Sequence, residues 1–120
     1  MTSLELARAA ASILDDKKAQ DIKAIKVRDL TIVADYFVIA GASSTTHVKS
    51  LADEVEFQLK QRQIQPLRVE GYGSASWILI DYGEVIVHIF NEEARDYYKL
   101  ERLWADGQLV DLTGIVDGEA

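Results

Sequence analysis

A chain of 120 residues is enough for one domain with one core and too short for two. Hydrophobic residues make up 48% and charged residues 28%, the balance of an ordinary soluble globular chain, and the absence of cysteine excludes disulfides, thiolate metal sites and thiol nucleophiles. A net charge of −7 repels phosphate backbones, so extensive direct nucleic-acid contact is not expected and a basic protein partner fits better.

The first residues, Met1-Thr2-Ser3-Leu4-Glu5, lack the basic and then apolar pattern of a signal peptide. No apolar run approaches the roughly 20 residues that span a membrane, so no membrane partner is expected and the reducing cytoplasm is the expected location. Thr2 to Glu5 reads as a capping box, with Thr2 as cap and Glu5 reaching back. Leu6, Ala9, Ala10, Ile13 and Leu14 continue at helical spacing, and the helix is expected to fade at 15–18. Residues 22–27 give a first short strand. Residues 28–35 carry Leu30, Ile32 and Val33 without a clear period, and are expected to form a connector that tucks them under the sheet.

Residues 36–40, Tyr-Phe-Val-Ile-Ala, are apolar on both faces, which predicts a central strand. After Gly41-Ala42-Ser43-Ser44-Thr45-Thr46 comes the clearest helix. Val48, Leu51, Ala52, Val55 and Leu59 make its inward stripe, and Ser44 or Thr45 is its cap. Pro66 closes the way to a third strand at 67–70. Two apolar, β-branched runs then flank the break Asp81-Tyr82-Gly83-Glu84, the pattern of a hairpin. A two-residue turn at Tyr82-Gly83 sets Ile80 opposite Val85, Leu79 opposite Ile86, Ile78 opposite Val87 and Trp77 opposite His88. Asn91 caps a segment with Glu92 and Glu93 in its first turn, which continues to Trp104 as one helix or two. Beyond Asp106-Gly107 the chain turns polar, and a frayed acidic tail is expected.

Alternation gives the hairpin two faces. One carries Ile78, Ile80, Val85, Val87 and Ile89, uniformly aliphatic, and reads as core. The other carries Trp77, Leu79, Asp81, Glu84, Ile86, His88 and Phe90. It is too polar for an ordinary core and too apolar for a solvated face, so it is either covered by a helix or kept for a partner. An apolar face left wet also favours a homodimer in the free protein.

Several stretches could carry chemistry. The strand-to-helix turn 41–46 could cradle phosphate, but its spacing is neither a Walker loop nor a dinucleotide fingerprint, and a capped turn explains it as well. A Gly-Ser pair opening a helix also starts nucleotidyltransferase-type sites, which need paired carboxylates for magnesium on the following strands. Here the strand 77–81 offers only Asp81. Asp81, Glu84 and His88 could do acid–base work, yet hairpin turns collect Asp and Glu anyway. His47 and His88 have no ligand spacing, so no metal site is expected. The aromatics of 97–104 read mainly as a core-facing stripe. Trp77, sharing a face with a histidine and carboxylates, is the better interface candidate, although a Trp on a strand is usually just packed and composition does not decide between the two.

Three blocks carry a family resemblance. They are Asp35-Tyr36-Phe37-Val38-Ile39-Ala40 with Ser44, His47-Val48 and Ala52-Asp53, then Gly73 with residues 77–90, then residues 95–104 from Arg95 to Trp104. In this order and spacing the chain resembles the ribosomal silencing factor, or Iojap, family over roughly residues 4–112. Gly41-Ala42 departs from the Ser or Thr that the family more often has beside the glycine. The resemblance implies an α/β (α+β) fold with a mixed, about five-stranded sheet and flanking helices, related to nucleotidyltransferases but without their activity. With the acidic end of the chain, a single domain at 1–112 followed by an acidic flexible tail at 113–120 is expected. The resemblance further implies a repressor of translation without cofactor or catalysis, which binds the large-subunit ribosomal protein numbered fourteen on the intersubunit face and keeps the small subunit from joining. Free members tend to be homodimers. The docking surface expected for this chain is Trp77, Leu79, Asp81, Tyr82, Glu84, Ile86 and His88. The competing expectation is a degenerate nucleotidyltransferase-like protein that still binds nucleotides.

Overall fold

The three longer helices each begin where the sequence supplies a cap. The structure, a computed structural model describing residues 1–116, has α1 over Ser3–Asp16, with the Thr2 hydroxyl accepting from Glu5 N–H at 3.1 Å and the Glu5 carboxylate accepting from Thr2 N–H at 2.8 Å. Ser44, not Thr45, caps α2, Thr45–Gln61, by accepting from His47 N–H at 3.1 Å. Asn91 caps α3, Glu92–Tyr98, by accepting from Ala94 N–H. The segment up to Trp104 is two helices, because Lys99 takes a left-handed φ of 48° and separates α3 from α4, Leu100–Leu103.

The strands are β1 (Gln20–Lys26), β2 (Tyr36–Ala42), β3 (Arg68–Glu70), β4 (Trp77–Asp81), β5 (Val85–Asn91) and β6 (Gln108–Leu109). They form one six-stranded mixed sheet in the order β3-β4-β5-β2-β1-β6. Only β2 and β5 run parallel. As its composition predicts, β2 is buried at every position and central.

Alternation along these strands divides the apolar residues into two clusters. Val38, Ala40, Ile78, Ile80, Val85, Val87 and Ile89 lie beneath α1 and α2 with Ala10, Leu14, Leu51, Val55 and Leu59. Phe37, Ile39, Ile86 and Phe90 point the other way, toward Ala94 of α3, Leu100 of α4 and, from the connector, Val27 and Ala34.

Three expectations are corrected. The hairpin turn is Gly83-Glu84 instead of Tyr82-Gly83: Tyr82 N–H donates to Val85 O, and Asp81, Leu79 and Trp77 align with Ile86, His88 and Phe90. Gly83, with φ +87°, takes the first central position, where a primed two-residue turn needs positive φ. Moving the turn by one residue shifts the pairing by two, so the side chains of β4 and β5 keep their expected faces. The connector 28–35 does not tuck its apolar residues away. Val27 and Ala34 are buried at its ends, but Leu30, Ile32 and Val33 stand in solvent, Ile32 completely. The chain beyond Gly107 does not fray either. It adds β6 to the edge of β1, and Leu112 and Val116 enter the helix-side core, so residues 113–116 are not a loose tail. Asp117 and Glu119 lie outside the described residues.

Candidate functional site

The second sheet face is built around aromatic rings. Trp77 on β4 stacks on its cross-strand partner Phe90, with ring centroids 4.9 Å apart. Tyr98, from the last turn of α3, lies tilted against the indole at 4.8 Å and 6.4 Å from Phe90. Further along the face, Phe37 of β2 meets His88 edge-on at 4.9 Å and Trp104 edge-on at 5.1 Å. The rings thus run from Trp104 through Phe37 and His88 to Trp77 and Tyr98. The aromatic segment 97–104 and the hairpin face, alternatives when read from the sequence, are one surface.

The cover over this surface is incomplete. Ile86, His88 and Phe90 are buried, whereas Trp77 and Leu79 are half-buried and Tyr97, Tyr98 and Leu103 are exposed. A depression of about 240 Å³ bounded by Glu70, Gly71, Trp77 and Leu79 opens beside the indole. Gly71 is needed there: its φ is +84°, and a β-carbon on it would collide with the Trp77 carbonyl oxygen. The α3–α4 corner is held to the sheet by Arg95. Its Nε and one terminal nitrogen donate to Glu101 at 3.0 and 2.8 Å, that terminal nitrogen also lies 3.5 Å from Asp21, and the other donates to the Gln20 carbonyl. Burial raises the Glu101 pKa, but the hydrogen bond and charge of Arg95 outweigh it and hold it below the ordinary carboxylate value.

The polar residues expected on the docking face divide into different roles. Glu84 projects into solvent at the turn. Asp81 is committed locally: its carboxylate accepts from Gly83 N–H at 2.7 Å and from Arg68 Nε at 3.2 Å. His88 is 4% exposed, and its Nδ1 accepts from Trp77 Nε1 at 3.1 Å. Burial pushes its pKa down to about 4. Tyr82 does not share this face. By alternation it points with Ile80 to the helix side, where it packs against the core and its hydroxyl is buried without a partner. Burial, with the Glu56 charge second, raises its pKa. Sequence reasoning missed Phe37 because β2 is apolar on both faces. The signal was alternation, which puts Phe37 and Ile39 beside Ile86 and His88.

The strand-to-helix turn at 41–46 is occupied by its own capping. Ser43 N–H donates to His47 Nδ1, and His47 Nε2 lies 3.0 Å from the Lys17 carbonyl, so this histidine ties α1 to α2. Asp81 is at the far end of the sheet: it aligns with Ile86 and Phe37, while Gly41 aligns with Phe90. Four to five residues of strand separate them, about 15 Å. Among the described residues no group of three or more His, Cys, Asp or Glu could hold a metal ion, and no helix is long and apolar enough to cross a membrane.

Fold and face together define a small α+β protein with one closed core and an aromatic sheet face left half-covered. The family described as ribosomal silencing factor during starvation matches residues 1–120. A Bacillus subtilis protein named ribosomal silencing factor is 40% identical over 93% of this chain and 95% of its own. A Chromobacterium violaceum crystal structure superposes with a TM-score of 0.85 at 34% identity, over 92% of each chain. A mouse protein named for mitochondrial assembly of the large ribosomal subunit is 32% identical over 84% of this chain, which spans about half of it (47%). The chain belongs to the ribosomal silencing factor family.

Proposed function

We propose that this chain binds the large ribosomal subunit through a basic ribosomal protein on its intersubunit face, the one numbered fourteen, and sterically prevents the small subunit from joining. It thereby represses translation as a binding protein, without catalysis. The observation that carries the reading is the half-buried Trp77, flanked by Leu79 and the exposed Tyr98, on a face that no helix closes. Glu84 at its edge and a net charge of −7 suit a basic partner. The silencing function named for the Bacillus relative and the large subunit named for the mouse one point to the same target. In the free protein the same face pairs with a second copy, so dimerisation and docking compete. A nucleotide-binding role is not favoured: the lone carboxylate of β4 is held by Gly83 and Arg68, far from the turn at Gly41.

Co-sedimentation tests this. The protein is expected to pellet with isolated large subunits and to reduce their joining with added small subunits. Pelleting with small subunits alone, or no effect on joining, contradicts the reading.

A further inference from the structure

Trp77 meets two rings on adjoining sides, Phe90 at 4.9 Å and Tyr98 at 4.8 Å, which are themselves 6.4 Å apart. Stacking of this kind fixes the plane of an indole but not which edge points inward. The directional contact is the hydrogen bond from Trp77 Nε1 to His88 Nδ1, 3.1 Å long. An indole nitrogen only donates, so Nδ1 must accept and the His88 proton sits on Nε2. That second nitrogen is buried and has no partner. Phe37, Phe90 and Trp77 surround the ring, an environment in which a phenyl group would pack without an orphaned donor. Leaving a buried polar atom unpaired is costly, so the second nitrogen of the ring brings the fold no stability. What the histidine supplies is an acceptor for the indole.

We propose that His88 is a positioning residue: it never touches the partner, and its buried Nδ1 locks the half-exposed Trp77 indole in one orientation, so the docking face is formed before the partner arrives. This rests on the reading of Trp77 as a docking residue. An indole free to turn over loses that freedom only on binding, and the loss appears as weaker affinity.

Nuclear magnetic resonance on the ¹⁵N-labelled full chain tests the lock itself. The expected result is a nitrogen–nitrogen coupling across the hydrogen bond from Trp77 Nε1 to His88 Nδ1, with His88 in its Nε2–H tautomer. Absence of the coupling overturns the proposal. For function, His88→Phe is expected to fold with an unchanged or higher Tm, to shift the Trp77 indole N–H resonance, and to bind isolated large subunits about two- to tenfold more weakly. His88→Asn sets an amide oxygen where Nδ1 stands and is expected to recover most of the affinity despite a lower Tm. If His88→Phe does not fold, the coupling and the Asn variant decide. Native affinity in folded His88→Phe, alongside lost binding in Trp77→Ala, overturns positioning and leaves docking intact. Native affinity in Trp77→Ala overturns both.

Discussion

On the helix-side face of the sheet, Ile78, Ile80, Val85, Val87 and Ile89 are each 0% exposed, sealed by two long helices. On the opposite face the same two strands present Trp77, Leu79, Ile86, His88 and Phe90, under two short helices that leave Trp77 and Leu79 half-open. Strand propensity and hydrogen bonding are common to both faces, so those cannot be the source of the difference. It lies in what alternates: branched aliphatics that fill space on one side, rings with polar edges on the other. The first face is built to stay closed. The second keeps aromatic area, a buried hydrogen bond and a short helical cover that Arg95 holds down through Glu101, Asp21 and the Gln20 carbonyl.

The comparison breaks most sharply in the closed core. Ile80→Ala is expected to cost about 2–5 kcal/mol in urea unfolding, because the cavity lies between sheet and helices. Binding per folded molecule should be unchanged, and a selective loss of binding would mean the faces are not independent.

The next effect is titration of His88. Its folded pKa, near 4, lies below the unfolded value near 6.5, so the unfolded chain holds the extra proton between these values. Stability is then complete above about pH 6.5 and falls as pH drops toward 4, by about 3 kcal/mol. Urea midpoints measured across this range should show that slope in the native chain and lack it in His88→Phe. Nothing charged is stacked on the ring, since its neighbours are Phe37, Trp77 and Phe90.

Arg95→Ala removes the fastening of the α3–α4 corner and leaves Glu101 without its cation. A loss of about 1.5–3 kcal/mol is expected. Tryptophan fluorescence should change as Tyr98 leaves the Trp77 ring, and an unaltered spectrum would show that the corner is held by packing alone. The smallest effect belongs to Glu84→Lys. A rim charge steers more than it anchors, so the association rate with large subunits should fall by a few-fold at low salt and converge with the native rate as salt rises.

The sequence carried the caps at Thr2, Ser44 and Asn91 and both hairpin faces in plain sight, because capping chemistry and period-two alternation are local. The turn position was less legible. Tyr82-Gly83 and Gly83-Glu84 both put glycine in the turn, and the residue pattern alone does not choose between them; the register of β4 on β5 does. The exposure of Ile32 was hidden for the same reason, since apolar character in a connector says nothing about what covers it. In the candidate site, Trp77 was readable from its mixed company. The burial of His88 and the reversal of Tyr82 were not readable as roles. The former depends on Phe37 from another strand, and the latter followed from alternation but was masked by its place beside the turn.

The central claim is that the open face, and Trp77 within it, makes the ribosome contact. The most direct measurement is the affinity of folded Trp77→Ala for isolated large subunits, compared with the native chain and with Ile80→Ala. Truncating a central interface aromatic typically costs about 2–4 kcal/mol, so binding should weaken about thirtyfold or more while Ile80→Ala binds as the native chain does. Native affinity in Trp77→Ala, with circular dichroism confirming the fold, would contradict the account.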